Sequence, residues 1–174
     1  MPDIETERLL LRRFRLEDAD VVYRMGTDPQ VTRYTHEHAT SIEQAREILI
    51  EHPLADYQKH GFGRWACVLK ATGEVIGFSG LKRLEDLGEV DVGYRFLPAY
   101  WGKGLATEAA RVALDFGFTQ LRLPRIIGLV IPENVASVRV LEKIGMTFVE
   151  IITYHEIQPA KYAIDAHRFA SRVV

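Results

Sequence analysis

A chain of 174 residues that is 47% hydrophobic and 26% charged has the size and composition of one globular domain with a core of its own, and two domains would be cramped. The formal charge of -2, from 22 Lys and Arg against 24 Asp and Glu, excludes the strongly basic surface that holds nucleic acid. A single cysteine, Cys67, excludes an internal disulfide framework and a Cys-rich metal site; with no signal-peptide pattern at Met1-Pro2-Asp3-Ile4-Glu5 and no membrane-length apolar run, the chain reads as a soluble cytoplasmic protein.

In chain order, Arg8 to Arg12 is a predicted strand, and Leu16 to Met25 has helical spacing with Glu17 and Asp18 in its first turn. Asp28-Pro29 ends that helix. Thr40 and Ser41, followed by Glu43 and Gln44, form the start of another, which Pro53 interrupts and Gly61 stops. Trp65–Leu69 and Val75–Leu81 flank a hairpin turn at Ala71-Thr72-Gly73-Glu74, and Glu89 to Leu97 is a further strand. Leu105, Ala109, Val112, Ala113 and Phe116 make a helical stripe, Arg125 to Ile131 a strand, and Asn134 to Lys143 a helix closed by Gly145. Thr147–Tyr154 and Lys161–Phe169 are the last predicted strands. The order implies one mixed α/β or α+β domain, residues 1–174, around a central sheet.

The stretch Tyr100-Trp101-Gly102-Lys103-Gly104-Leu105-Ala106 joins a strand to a helix through two glycines. A helix start leaves unpaired N–H groups and the positive end of a dipole, so this turn serves either a phosphate or plain turn chemistry. It is not a P-loop, because Lys103 lies between the glycines and no Ser or Thr follows it. A Rossmann fingerprint needs glycine at Thr107 and an acidic residue ending a second strand, and neither is present.

The loop resembles the acetyl-CoA pyrophosphate loop of the GNAT N-acetyltransferases. Further segments follow the order of the ribosomal-protein N-terminal acetyltransferase (RimJ/RimL-like) branch: Thr6-Glu7-Arg8-Leu9-Leu10-Leu11-Arg12, Gly73 to Gly77, Asp91-Val92-Gly93-Tyr94, and Asn134 to Ser137 through Glu142 to Gly145. The resemblance implies an α/β (α+β) GNAT fold. Its sheet is mixed, mostly antiparallel and twisted, has helices on both faces, and splays between the strands before and after the loop's helix. It implies acetyl-CoA as cosubstrate and direct acetyl transfer to a primary amine, either a protein N-terminus or a small molecule, in a ternary complex; the alternative is an acyl-CoA-binding or regulatory module with little activity. Implied partners are acetyl-CoA and the amine, with no nucleic acid or membrane, in a monomer or homodimer.

Carried onto this sequence, the resemblance assigns acetyl-CoA contacts to Gly102, Lys103, Gly104, Leu105, Ala106 and Thr107, to the main chain of Phe96 and Leu97, and to Asn134 and Ser137. Trp101 replaces the family's Gln or Arg, and Leu141 stands where several relatives have a tyrosine acid.

Acetyl transfer to an amine needs a route for the amine's proton and a donor for the leaving thiolate. Period-two alternation puts Glu89 and Asp91 on one face of a strand, as candidate bases or as an exposed polar face. Gly93 predicts a bulge or a close backbone approach. Asn134 reads as a helix N-cap, and Ser137, one turn on, as the candidate acid or an ordinary helix serine. Glu156, beside His155 on a late strand, ranks below Asp91 and Glu89. His36-Glu37-His38 reads as a solvated loop near the acceptor rather than a metal site, and Cys67 as a buried core residue.

Overall fold

A computed structural model describes residues 1–35 and 38–171. His36 and Glu37, two of the three residues of the predicted histidine loop, lie outside the described residues.

Among the described residues, eight strands form one sheet in the order β1-β2-β3-β4-β5-β6-β8-β7. Strands β1 (Ile4–Glu5) and β2 (Leu9–Arg13) open the chain. Helices α1 (Ala19–Thr27), α2 (Pro29–Thr32), α3 (Ile42–Leu49) and α4 (Ala55–His60) follow before β3 (Arg64–Leu69), β4 (Val75–Leu84) and β5 (Glu89–Phe96). All neighbours from β1 to β5 are antiparallel. Helix α5 (Leu105–Thr119) then crosses over, which makes β6 (Arg125–Val130) parallel to β5. After α6 (Val135–Lys143), strand β7 (Thr147–Ile151) takes the sheet's edge, and β8 (Ala160–Asp165) returns between it and β6.

Side-chain alternation sorts the core into two layers. On β5, Val90, Val92 and Phe96 join Trp65, Cys67, Ala109, Ala113 and Leu141 beneath α5 and α6. On the opposite face Ala66 and Phe78 meet Met25, Ala45 and Leu49 of α1 and α3. Helices therefore cover both faces.

Local signals explain most boundaries. Ser41 Oγ accepts the Gln44 N–H at 3.1 Å while Gln44 Oε1 accepts the Thr40 N–H at 2.7 Å, a reciprocal cap. Pro53 interrupts the helix as expected: the backbone widens into a π turn over Ile50–Leu54, and the path continues as α4 until Gly61 at φ 75° closes it. The last predicted strand stops at Asp165 and gives way to a short helix, α7 (Ala166–Ala170). No helix among the described residues is long and apolar enough to cross a membrane, and no group of three or more His, Cys, Asp or Glu there is placed to hold a metal ion.

Candidate active site

The glycine loop adopts the conformation its sequence requires. Gly102 and Gly104 sit at φ 73° and 79°, in the left-handed region that side chains disfavour. Gly104 is the N-cap of α5, so the amides of Leu105, Ala106 and Thr107 have no partner within the helix. Nothing lies within 4 Å of where a Gly102 Cβ would stand. This open backbone surface at the positive end of a fifteen-residue helix fits a diphosphate.

Beside it the sheet parts. Strands β5 and β6 are in register at Asp91 and Ile127 alone, although each runs on beyond that pair. The Leu97 N–H bonds to the Ile76 carbonyl at 3.0 Å, so this amide faces β4, and the Leu97 carbonyl accepts the Tyr100 N–H at 2.9 Å. Alternation along the ladder turns the backbone groups of Tyr94 and Phe96 toward the gap. There the Phe96 carbonyl accepts the Trp101 indole N–H at 2.6 Å. Trp101 thereby acts as a clasp between the end of β5 and the glycine loop, and the Phe96 amide stays turned to the gap.

A cavity of about 290 Å³ occupies the gap. From the α1/α3 face it is lined by Asp91, Arg64 and Arg95, and from the α5/α6 face by Tyr94, Asn134 and Ser137. Asp91 stands where the ladder fails. Its Oδ1 accepts the Leu129 N–H of β6 at 3.1 Å, and its Oδ2 accepts Arg64 Nη2 at 2.7 Å. Burial pushes the Asp91 carboxyl above the usual carboxylate range, although the Arg64 charge and the Leu129 N–H pull the other way.

Gly93 explains how Arg64 reaches that position. The β4–β5 register runs unbroken through Gly80 and Gly93, so the predicted bulge is not formed. Instead a Cβ on Gly93 would stand 1.7 Å from Arg64 Nη1: the guanidinium lies flat in the space a side chain would fill, also donating to the Gly80 carbonyl at 3.2 Å. Close approach, the other expected reason for a strand glycine, is the operative one.

Glu89 shares the Asp91 face but does not line the gap. Its carboxylate is bound by Lys161 Nζ at 2.5 Å and lies 3.8 Å from Arg125 Nε. Glu156 falls in the exposed turn closed by the Tyr154–Ile157 bridge, and that turn contributes Tyr154 and Ile157 to the cavity wall instead.

On the other face Asn134 caps α6, accepting the Ser137 N–H at 3.2 Å, and Ser137 Oγ donates to the Tyr94 hydroxyl at 3.1 Å. Tyr94 in turn donates to the Ser137 carbonyl at 2.7 Å. Burial raises the Tyr94 pKa further above neutrality, so its phenol keeps the proton. Sequence reasoning gave Tyr94 no role; the available signal was its even-numbered place on β5, which sets it opposite Asp91 across the sheet. Leu141 is buried against the site of a missing Cβ at Gly128 and is part of the core.

A second cavity, of about 160 Å³, opens from the gap beneath α1 and α3 and shares Arg64, Phe78 and Arg95 with it. Its walls include Phe14, Val22, Met25 and Leu49, with Lys82 and Asp56.

Residues 8–147 match the family model described as an acetyltransferase (GNAT) domain. The chain is 38% identical over 148 residues to an uncharacterized N-acetyltransferase, p20, of Bacillus licheniformis, covering 83% of this chain and 82% of that one. It is 32% identical over 142 residues to the spermidine N(1)-acetyltransferase of Escherichia coli K12, covering 79% and 72%. The crystal structure of a GNAT-family acetyltransferase from Bacillus anthracis superposes with a TM-score of 0.80 at 29% identity, over 95% of this chain and 99% of that one. With the splayed sheet, the glycine loop and these relationships together, the chain belongs to the GNAT family of N-acetyltransferases, enzymes that use acetyl-CoA as cosubstrate.

Proposed function

We propose that this chain acts as a single cytoplasmic domain, monomeric or homodimeric, that acetylates a primary amine by direct transfer in a ternary complex. One observation carries this reading: the gap between β5 and β6 is open to both faces of the sheet and carries a proton donor on one and a carboxylate on the other. Acetyl-CoA supplies an acetyl thioester. Gly102 to Thr107 would hold its diphosphate by main-chain amides, and the Phe96 amide and Asn134 would flank its pantetheine arm.

The chain's own side chains divide the proton work. Asp91, more basic than an exposed carboxylate, draws the acceptor's proton away through water on the α1/α3 face. Tyr94 keeps its proton at neutral pH and, turning its O–H from the Ser137 carbonyl, gives it to the leaving sulfur on the α5/α6 face; the Ser137 hydroxyl steadies the phenolate by donating to its oxygen, and water returns the proton. Glu89, held by Lys161 outside the gap, supports the charge balance behind Asp91 rather than touching substrate.

The acceptor is the α-amine of a protein N-terminus, as in the ribosomal-protein acetyltransferase branch, or a primary amine of a small molecule. The second cavity favours an apolar tail over a polyamine: its walls are largely apolar, and its charged lining is mixed, with Lys82 and Arg64 beside Asp56. Release of free CoA, measured across peptides with small N-terminal residues, apolar amino acids, an aminoglycoside and spermidine, tests this. Turnover is expected with the first two classes above spermidine. CoA binding without turnover on any amine would replace the enzyme reading with that of a binding module.

A further inference from the structure

The segment Thr6-Glu7-Arg8 lies about a hundred residues from the glycine loop in sequence, yet five contacts tie it to that region, four to Glu108 in the first turn of α5 and one to Lys103 of the loop. Thr6 Oγ1 donates to Glu108 Oε1 at 2.6 Å, and the Arg8 N–H to the same oxygen at 2.9 Å. Arg8 Nε and Nη2 reach Glu108 Oε2 at 2.7 and 2.6 Å, and Arg8 Nη1 donates to the Lys103 carbonyl at 2.7 Å. Burial alone would raise the Glu108 pKa, but the Thr6 and Arg8 hydrogen bonds outweigh it and keep the carboxylate ionised.

We infer that Arg8 is a positioning residue for the diphosphate loop, setting the direction in which the Gly104 amide points. The geometry follows from the planarity of one peptide. In a trans peptide the C=O and the following N–H point in opposite directions, so a Lys103 carbonyl anchored on Arg8 turns the Gly104 N–H away from Arg8. That sends it to the open side, together with the unpaired amides of the first turn of α5. Glycine at Gly104, with φ 79°, leaves this peptide free to rotate, so an outside anchor is needed. Arg8 supplies it, and its charge also cancels that of Glu108, which otherwise stands in the first turn of α5 and repels a diphosphate.

The inference rests on the reading that this loop holds the CoA diphosphate, and the test separates the two. CoA binding is measured by calorimetry, and unfolding midpoints by thermal denaturation, for the parent and Arg8→Lys. Lysine still pairs with Glu108 but lacks the fork that reaches Lys103 as well. The midpoint is expected to stay near the parent's, while Kd for CoA and KM for acetyl-CoA rise roughly tenfold, the weight of one charge-assisted hydrogen bond. KM for the acceptor amine stays within about twofold, since that substrate meets the other face. Should Arg8→Lys prove unstable, Arg8→Met with Glu108→Gln removes the link without an unpaired charge and is expected to weaken CoA equally. Unchanged CoA affinity in these variants overturns the inference alone. A folded parent that binds no CoA overturns the loop reading with it.

Discussion

The glycine loop and the β5–β6 gap are adjacent, yet they are built in opposite ways. At the loop the binding groups are main-chain amides, their directions follow from two left-handed glycines and a helix start, and the side chains of Gly102, Gly104 and Ala106 matter by being small or absent. In the gap the working groups are side chains from separate elements: Asp91 meets Arg64 across 27 residues of sequence, and Tyr94 meets Ser137 across 43. A backbone site tolerates many surroundings but few residues at its glycines. A side-chain site tolerates a less particular backbone but depends on how distant elements stack.

The contrast can be broken at several points. Tyr94→Phe carries the largest expected effect: if the phenol protonates the leaving sulfur, kcat falls by about 10²–10⁴-fold with CoA affinity retained. Stopped-flow release of CoA measures this, and a smaller loss than in Ser137→Ala would move the donor's role to the serine. Asp91→Asn keeps an acceptor for the Leu129 N–H but leaves the Arg64 guanidinium without its counter-charge. Turnover should fall mainly at low pH, where the amine needs deprotonating, and recover as pH rises; a profile parallel to the parent's at all pH values would show that Asp91 only braces the strands. Because the Asp91 pKa is raised, the parent's own acid limb should lie above the ordinary aspartate value of about 3.9.

Gly93→Ala probes the same side through packing alone. The added methyl displaces Arg64 from Asp91 and is expected to lower stability by about 1–3 kcal/mol, read from urea unfolding, and to reduce turnover more than CoA affinity. Gly104→Val is the counterpart at the loop. Forcing a β-branched residue to φ 79° costs about 1–2 kcal/mol, and CoA affinity should drop while the protein stays folded. Equal CoA affinity in calorimetry would remove the backbone-cradle account.

The smallest effect concerns the Arg8–Glu108 pair behind the loop. Glu108 titrates below its ordinary range, so the stability from its pairing is fully present above the unfolded-state value of about 4.3 and is lost as pH falls through the lower folded value. The difference in unfolding free energy between the parent and Glu108→Gln should therefore be seen at neutral pH, at under about 1 kcal/mol for so accessible a pair, and shrink below pH 4.

What could be read from the sequence is what the chain decides locally. The α3 cap at Ser41 and Gln44, the β3–β4 hairpin, the α5 start at Gly104 and the Asn134 cap each depend on dihedral preferences and hydrogen bonds within a few residues, and each stands where the residues place it. Even the gap was legible, through the resemblance of the glycine loop and its flanking segments to a known family. The rest waited on the sheet. Period-two alternation set Glu89 and Asp91 on one face, but only the β6–β8 pairing, which brings Lys161 alongside, separates a held Glu89 from a gap-lining Asp91. Gly93 signalled close approach without naming the approaching group, since Arg64 reaches it from two strands away. Tyr94 and Ser137 meet because β5 and α6 stack on the same layer, and Arg8 meets Lys103 because β2 starts beside the start of α5. Backbone preferences act over one turn and so are written in short words of sequence. Contacts between side chains depend on which strands become neighbours, and that is settled only when the two core layers close on the sheet.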